Sequence, residues 1–166
     1  MHLRTGKDLD LEAVGRVHWR SRSAAYAHIL APETLGGGSA EALGEWWSER
    51  WKWEQETHRL TVADRDGEIV GFTYVGPSET DGAVELYAIH VVPELVGTGI
   101  GRELMANALE QLREIGGERA VLWVLEENER ARRFYDRGGW LPDGGTRVEA
   151  VNGQPVPQLR YSLSLR

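Results

Sequence analysis

The chain has 166 residues, of which 41 % are hydrophobic and 27 % charged, with no cysteine and a net charge of −7. These values fit one globular domain over residues 1–166 and exclude disulfides, a thiol nucleophile and cysteine-ligated zinc; no metal site is expected. The acidic balance argues against nucleic acid or anionic lipid as a partner, because phosphate binding needs clustered Lys and Arg, and suits an amine-bearing one.

The start, "MHLRTGKDLDLEAV", has no apolar core of roughly 7–15 residues, so no signal peptide is expected. No apolar run approaches the roughly 18 residues of a membrane span, and the cytoplasm is the expected compartment. "HLRTG" reads as a first edge strand, with Asp8 as N-cap of a helix carrying Leu11, Val14, Val17 and Trp19. "HILAPETLGGGS" reads as a loop. A second helix runs from Ser39 to near Glu56 and carries Leu43, Trp46, Trp47, Arg50, Trp51 and Trp53. "HRLTVADRDGEIVGFTYVG" reads as two strands turned at "DRDG", since Asp-Gly supplies the positive φ of a tight hairpin. "AVELYAIHVV" is a further strand. The helix "GRELMANALEQLREIGG" places Leu104, Ala108, Leu109, Leu112 and Ile115 on one stripe, with Gly116 and Gly117 as stops. "RAVLWVLEEN" is a strand, "ERARRFYDRGG" a short helix, and "TRVEAVNGQPVPQLRYSLSL" a hairpin turned at Asn152 and Gly153. The order α α β β β α β α β β predicts an α/β or α+β layered domain with a mixed sheet.

One joint stands out. In "HVVPELVGTGIGRELM" a strand ends near Val92, glycines follow at 97, 99 and 101, and a helix begins near Gly99. Such a joint aims unpaired backbone N–H groups and a positive helix end at one point, which suits an anion. Glycines there let a bulky phosphate approach and tolerate positive φ. A plain bend in the chain explains the glycine spacing equally well. No Lys-Ser/Thr pair follows the last glycine, so this is not a P-loop. A dinucleotide turn is the more serious rival, with Glu126 placed to hold a ribose, but Arg102 stands where the third fingerprint glycine belongs.

"VVPELVGTGIGRELM" followed by "VLWVLEENERARRFYDRGGW" resembles the GNAT superfamily of N-acetyltransferases. That superfamily binds acetyl-CoA through a Gln/Arg-x-x-Gly-x-Gly/Ala turn and carries a strand-helix unit reading Asn-x-x-Ala-x-x-Phe-Tyr. The motifs cover roughly residues 84 to 141, and the family's usual Gln or Arg falls on Val96. The resemblance implies a mostly antiparallel twisted sheet flanked by helices. It implies that the backbone of Ile89 and Val91 pairs with the pantetheine arm like an added strand. Gly97, Thr98, Gly99, Ile100, Gly101 and Arg102 would cradle the pyrophosphate. Asn128 would bind the pantetheine, or simply cap its helix, and Ala131 and Phe134 would flank the cofactor. Arg130, Arg132 and Arg133 could reach the 3′-phosphate, although such a run is more often a solvated face.

The chemistry needs a neutral amine, a stabilised oxyanion and a proton for the departing thiolate. Glu85 is the candidate base: in an unbroken strand Glu85, Tyr87, Ile89 and Val91 share one face, on the pantetheine side, while His90 points to the other and is expected to be packed. A sheet-face glutamate paired with a cation is the plainer alternative. The resemblance makes Tyr135 the general acid, and a backbone N–H at Val91 or Val92 the oxyanion donor. For the acceptor, Trp47 and Trp51 sit one turn apart; with Glu33, Glu41, Glu45 and Glu49 nearby they suggest a small amine held against aromatic rings. Packing is the usual role of such a cluster. The expected function is N-acetyl transfer from acetyl-CoA to a primary amine of a small molecule or peptide, with a homodimer possible through the last hairpin or the tryptophan helix. A silent acyl-CoA-binding module and a Rossmann-like nucleotide-binding protein are the alternatives.

Overall fold

In the computed structural model, which describes residues 1–166, the chain runs β1 (His2–Thr5), α1 (Leu11–Ala25), α2 (Pro32–Leu35), α3 (Ala40–Glu54), β2 (Arg59–Arg65), β3 (Glu68–Pro77) and β4 (Ala83–Val91). It continues with α4 (Ile100–Ile115), β5 (Arg119–Leu125), α5 (Glu129–Arg137), β6 (Leu141–Val151) and β7 (Gln154–Ser164). The strands form one sheet in the order β1-β2-β3-β4-β5-β7-β6. Only β4 and β5 pair in parallel; every other neighbour is antiparallel. A doubly wound parallel sheet is thereby excluded, and the Rossmann-like alternative with it.

The two anticipated hairpin turns form where an Asx-Gly pair can take positive φ. Asp66 and Gly67 lie at 54° and 87°, Asn152 and Gly153 at 48° and 86°. Three local readings are corrected. Asp8 does not cap α1: it opens a 3-10 turn, and Asp10 precedes the helix with its carboxylate on the Lys7 amide and the Arg4 guanidinium. The segment read as a loop after His28 contains the single-turn helix α2, started by Pro32, whose fixed φ suits a first helical position. The last hairpin begins at Leu141, not Thr146, and accommodates the extra length by a register shift between Pro142 and Thr146.

Helices α1 and α3 cover one sheet face and α4 the other. They burden the two faces differently. On the first, Val14, Val17, Trp47 and Trp51 pack on Phe72 and Tyr74; on the second, Met105, Ala108 and Leu112 pack on Val75, Leu86 and Leu122, with Leu104 over Gly71. The anticipated α4 stripe is therefore the buried one, with Leu109 and Ile115 at its margin. Helices α1 and α3 touch backbone to backbone: a Cβ on Gly15 would lie 2.4 Å from the Gly44 amide nitrogen.

Strand β4 breaks its alternation. Tyr74 pairs with Ala88 but Val75 pairs with Leu86, which leaves Tyr87 as the extra residue of a bulge. Beyond the bulge β4 also parts from β5: the pairing covers Ala83–Glu85 against Arg119–Val121 and then stops, although both strands continue.

Candidate active site

The parted strands leave a wedge in the middle of the sheet. The Val92 amide donates to the Val70 carbonyl at 2.9 Å, which fixes the phase of the β3–β4 ladder. In an antiparallel ladder residues alternate between facing the partner strand and facing away with both N–H and C=O. Ala88 and His90 therefore bond to β3, whereas Ile89 and Val91 direct donor and acceptor alike into the wedge. Their backbone can pair with the amides of an extended, unbranched chain. Val92, one of the two residues considered as oxyanion donor, is already committed to Val70; Val91 is the one with a free amide.

One end of the wedge is closed by the glycine turn. After a 3-10 turn at Pro93–Leu95, Gly97 and Gly99 take φ of 85° and 99° and α4 starts at Ile100. A Cβ on either glycine would meet no atom within 4 Å, so it is the backbone angle, not crowding, that requires glycine. The N–H groups of Gly97, Gly99, Ile100, Gly101 and Arg102 donate to no acceptor in the chain; the last three are the free first turn of α4. Thr98 behaves differently from its neighbours: its N–H and Oγ1 both donate to the Leu95 carbonyl, at 3.3 and 2.5 Å, so it builds the turn instead of facing a ligand. Arg20 of α1 grips Glu94 with two contacts of 2.6 and 2.7 Å and ties the turn to the helix layer. Val96 is exposed.

Helix α5 forms the neighbouring wall. The Phe134 ring lies 3.6 Å from where a Gly101 Cβ would stand, and Val91 Cγ2 is 4.0 Å from the same point, so helix, turn and strand converge there. Asn128 caps α5, its Oδ1 accepting from the Ala131 amide at 3.3 Å, and is buried. The three arginines divide. Arg132 points inward to the Tyr161 hydroxyl and the Glu126 carbonyl, Arg133 pairs with Glu129 at 3.7 Å, and Arg130 forms no ion pair. The Tyr135 ring sits 5.7 Å from Phe134, 6.1 Å from Tyr161 and 6.3 Å from Trp140. Burial, with the nearby Tyr26, pushes its phenol well above the ordinary tyrosine value, so it holds its proton at neutral pH. Tyr26, at the end of α1, was not legible as a site residue: "AAYAHIL" has no motif and no period.

Glu85 lies on the opposite sheet face from the one its number suggests. Its partner is Gly76, which shares a face with Tyr74 and Phe72, whereas Ile89 and Val91 pair with Thr73 and Gly71 on the other. The bulge at Tyr87 makes the switch: one extra residue inverts every side chain beyond it. Glu85, Tyr87 and His90 thus look toward α1 and α3. The Glu85 carboxylate is 8 % exposed and accepts from Ser78 Oγ at 2.7 Å. Burial raises its pKa against the opposing pull of Ser78, Arg147 and Arg50. His90 is packed, as expected: its ring stacks on His18 at 4.5 Å and its Nδ1 bonds to Ser21 Oγ at 2.9 Å. Trp47 donates from Nε1 to His18 Nδ1 at 3.0 Å.

Trp47 and Trp51 are core residues, 2 % and 8 % exposed, so packing against the sheet, the plainer alternative, is the role their burial fits. They occupy the stripe of α3 that faces the sheet; the tryptophans left at the surface are Trp46 and Trp53, 50 % and 75 % exposed. These two, with Glu49, Arg50 and Glu54, line an open depression of about 400 Å³. At its floor Glu54 accepts from Tyr74 Oη at 2.8 Å and from Arg50 Nε at 2.5 Å. The Arg50 guanidinium lies 4.4 Å from the centre of the Tyr87 ring and 5.0 Å from that of Tyr74.

Comparison with known proteins agrees with this geometry. The model of the acetyltransferase (GNAT) family matches residues 23–140. An uncharacterized N-acetyltransferase of Archaeoglobus fulgidus is 38 % identical over 91 residues, 52 % of this chain and 62 % of that protein. A mycothiol acetyltransferase of Propionibacterium freudenreichii is 33 % identical over 53 % of this chain, which spans 29 % of that relative. A probable N-acetyltransferase of Mycobacterium tuberculosis is 26 % identical and matches 98 % of this chain and 93 % of its own length. Among solved structures, the PaiA N-acetyltransferase of Thermoplasma acidophilum, in complex with coenzyme A, superposes with a TM-score of 0.75 at 21 % identity, covering 98 % of both chains. The yncA structure from Salmonella typhimurium, holding acetyl-CoA, gives 0.72 at 19 % identity over 100 % of this chain and 94 % of that one.

Proposed function

The chain belongs to the acetyltransferase (GNAT) family, and from that premise we propose that it transfers the acetyl group of acetyl-CoA to a primary amine of a small molecule or peptide. The observation that carries the reading is the wedge. A free strand edge at Ile89 and Val91 runs into a cluster of unpaired amides at 97 and 99–102, an arrangement that fits a thin chain of amides ending in a pyrophosphate. Acetyl-CoA supplies an acetyl group activated as a thioester. Ile89 and Val91 would hold the pantetheine arm by main-chain bonds, and the amides of Gly97, Gly99, Ile100, Gly101 and Arg102 the pyrophosphate. Asn128, Ala131 and Phe134 would line the far wall. Arg130 is the helix arginine left for the 3′-phosphate.

Glu85 takes the ammonium proton, directly or through water, since a carboxylate raised by burial is a competent base while alkyl amines titrate near 10. The amine nitrogen would bond to the acetyl carbon, the carbon–sulfur bond would break with Tyr135 giving its proton to the departing sulfur, and the surplus proton on the new amide nitrogen would return, directly or through water, to the Tyr135 oxygen. The Val91 amide, free of β3, would donate to the carbonyl oxygen as it gains charge. Because the chain has no cysteine to carry an acetyl group, transfer is direct, within a ternary complex. No helix is long and apolar enough to cross a membrane; a cytoplasmic location, where acetyl-CoA is made and used, suits the reaction.

Calorimetric titration with acetyl-CoA, run beside free CoA and NADH, is the test, followed by thiol release with a panel of amines. Binding of acetyl-CoA without NADH, and amine-dependent release, is the expected result. No binding overturns the reading. Binding with no release for any amine, and no effect of Glu85→Gln or Tyr135→Phe, would make the protein a silent acyl-CoA-binding module.

A further inference from the structure

We propose that Arg50 determines acceptor specificity by binding a carboxylate carried close to the reacting amine, so that the acceptor is an α-amino acid or a compound of that class. The inference rests on the transferase function proposed above. Arg50 is the one cation lining the depression between Trp46 and Trp53. Its guanidinium is fixed in place: Tyr87, Tyr74, Trp46 and Trp47 surround it with ring centres 4.4, 5.0, 5.7 and 5.9 Å from Cζ, and Nε is spent on Glu54. Its two terminal amino groups donate to no acceptor in the chain, and they are the parallel donors that take a carboxylate bidentately.

Glu54 is already spent at the floor, receiving Tyr74 Oη and Arg50 Nε, while Glu49 receives Trp53 Nε1–H at 3.0 Å and keeps its charge. The Arg50 guanidinium lies over the Tyr87 ring at 4.4 Å, and Tyr87 looks to the same side of β4 as Glu85, so base and guanidinium both face α3. An acceptor that carries a carboxylate close to its amine would engage both.

The test measures kcat/KM by thiol release for L-α-amino acids, each beside its primary amide and the amine lacking the carboxylate. The amide's amine is the less basic of these and the easier to deprotonate, so a preference for the acid cannot come from amine basicity. The acid is expected to be preferred by at least about tenfold. Arg50→Gln should collapse that ratio toward one, chiefly through KM, and Arg50→Lys should keep part of it, as a point charge without the fork. Acetyl-CoA titration checks that each variant is folded; if Arg50→Gln is not, the reduced ratio in Arg50→Lys decides. Wild-type protein that binds acetyl-CoA yet acetylates amides as well as acids, or acetylates no acid at all, overturns this inference and leaves the transferase function standing. A ratio unchanged in both variants overturns it equally. Failure to bind acetyl-CoA overturns both.

Discussion

Glu85 and Tyr135 are tuned in the same direction for opposite tasks. Burial raises both pKa values; the carboxylate thereby gains basicity, and the phenol keeps a proton to give. Glu85→Gln should lower kcat/KM by roughly 10²-fold or more and remove the limb of the pH profile on which activity rises as the carboxyl ionises, above the ordinary glutamate value. The same substitution should raise Tm at pH 7. The folded state binds the Glu85 proton more tightly than the unfolded chain, so ionisation as pH rises withdraws stability, and glutamine has nothing to ionise. A thermal melt of both proteins at pH 7 checks the sign: a variant no more stable than the parent would show that Ser78, Arg50 and Arg147 fully offset the burial. Tyr135→Phe should cut kcat by about 10²-fold or more with calorimetric acetyl-CoA affinity little changed, because the ring keeps its place among Phe134, Trp140 and Tyr161.

Among the elements, β4 and the α1–α3 pair carry the most function per residue. The Ile89 and Val91 amides face the wedge, so in free protein they should exchange with solvent faster than those of Ala88 and His90, and acetyl-CoA should protect them. Residue-resolved hydrogen exchange reads this directly, and equal rates along the strand would contradict the assigned ladder phase. Gly15→Ala would drive a Cβ to 2.4 Å from the Gly44 nitrogen and 2.8 Å from the Ala40 carbonyl oxygen. Separating the helices should cost about 1–3 kcal/mol, a Tm loss on the order of 3–10 °C, where most surface Gly→Ala changes cost little. The sequence made much of this legible. Asx-Gly turns, the α4 stripe and the glycine joint are local signals, and each survives in the structure because nothing in the tertiary environment opposes it. The bulge was not legible: "AVELYAIHVV" contains no Gly or Pro to mark one extra residue, and counting by twos put Glu85 on the wrong face. The α3 tryptophans failed for a related reason. Spacing pairs Trp47 with Trp51 but does not say whether the shared face looks inward, and the sheet claimed it.

The two helical layers meet the sheet with unlike chemistry, apolar beneath α4 and partly imidazole beneath α1. His18 and His90 stack at 4.5 Å, and burial holds their pKa values down to about 2 and about 4, with Arg22 adding to the effect on both. Unfolded, both rings take up protons near pH 6.5; folded, they stay neutral. Stability is therefore full above pH 6.5 and is lost as pH falls toward 4, by on the order of 2 kcal/mol per ring between pH 6.5 and 5. The Tm of the wild-type protein should drop between pH 7 and pH 5, and drop less in His90→Gln; parallel curves would sink the idea. At the same scale, the sheet solves a problem that its own wedge creates. An unpaired strand edge is ordinarily an invitation to aggregation, since any extended polypeptide can dock on it. Here the edge of β4 lies inside the sheet, walled by β5, by the first turn of α4 and by Phe134 of α5. A polypeptide strand projects side chains alternately above and below its backbone, whereas a chain with bare methylene spacers does not. The position of the edge thus does what charges or prolines do on an outer strand: the protein can keep a stretch of its central strand unpaired without laying it open along the rim of the sheet.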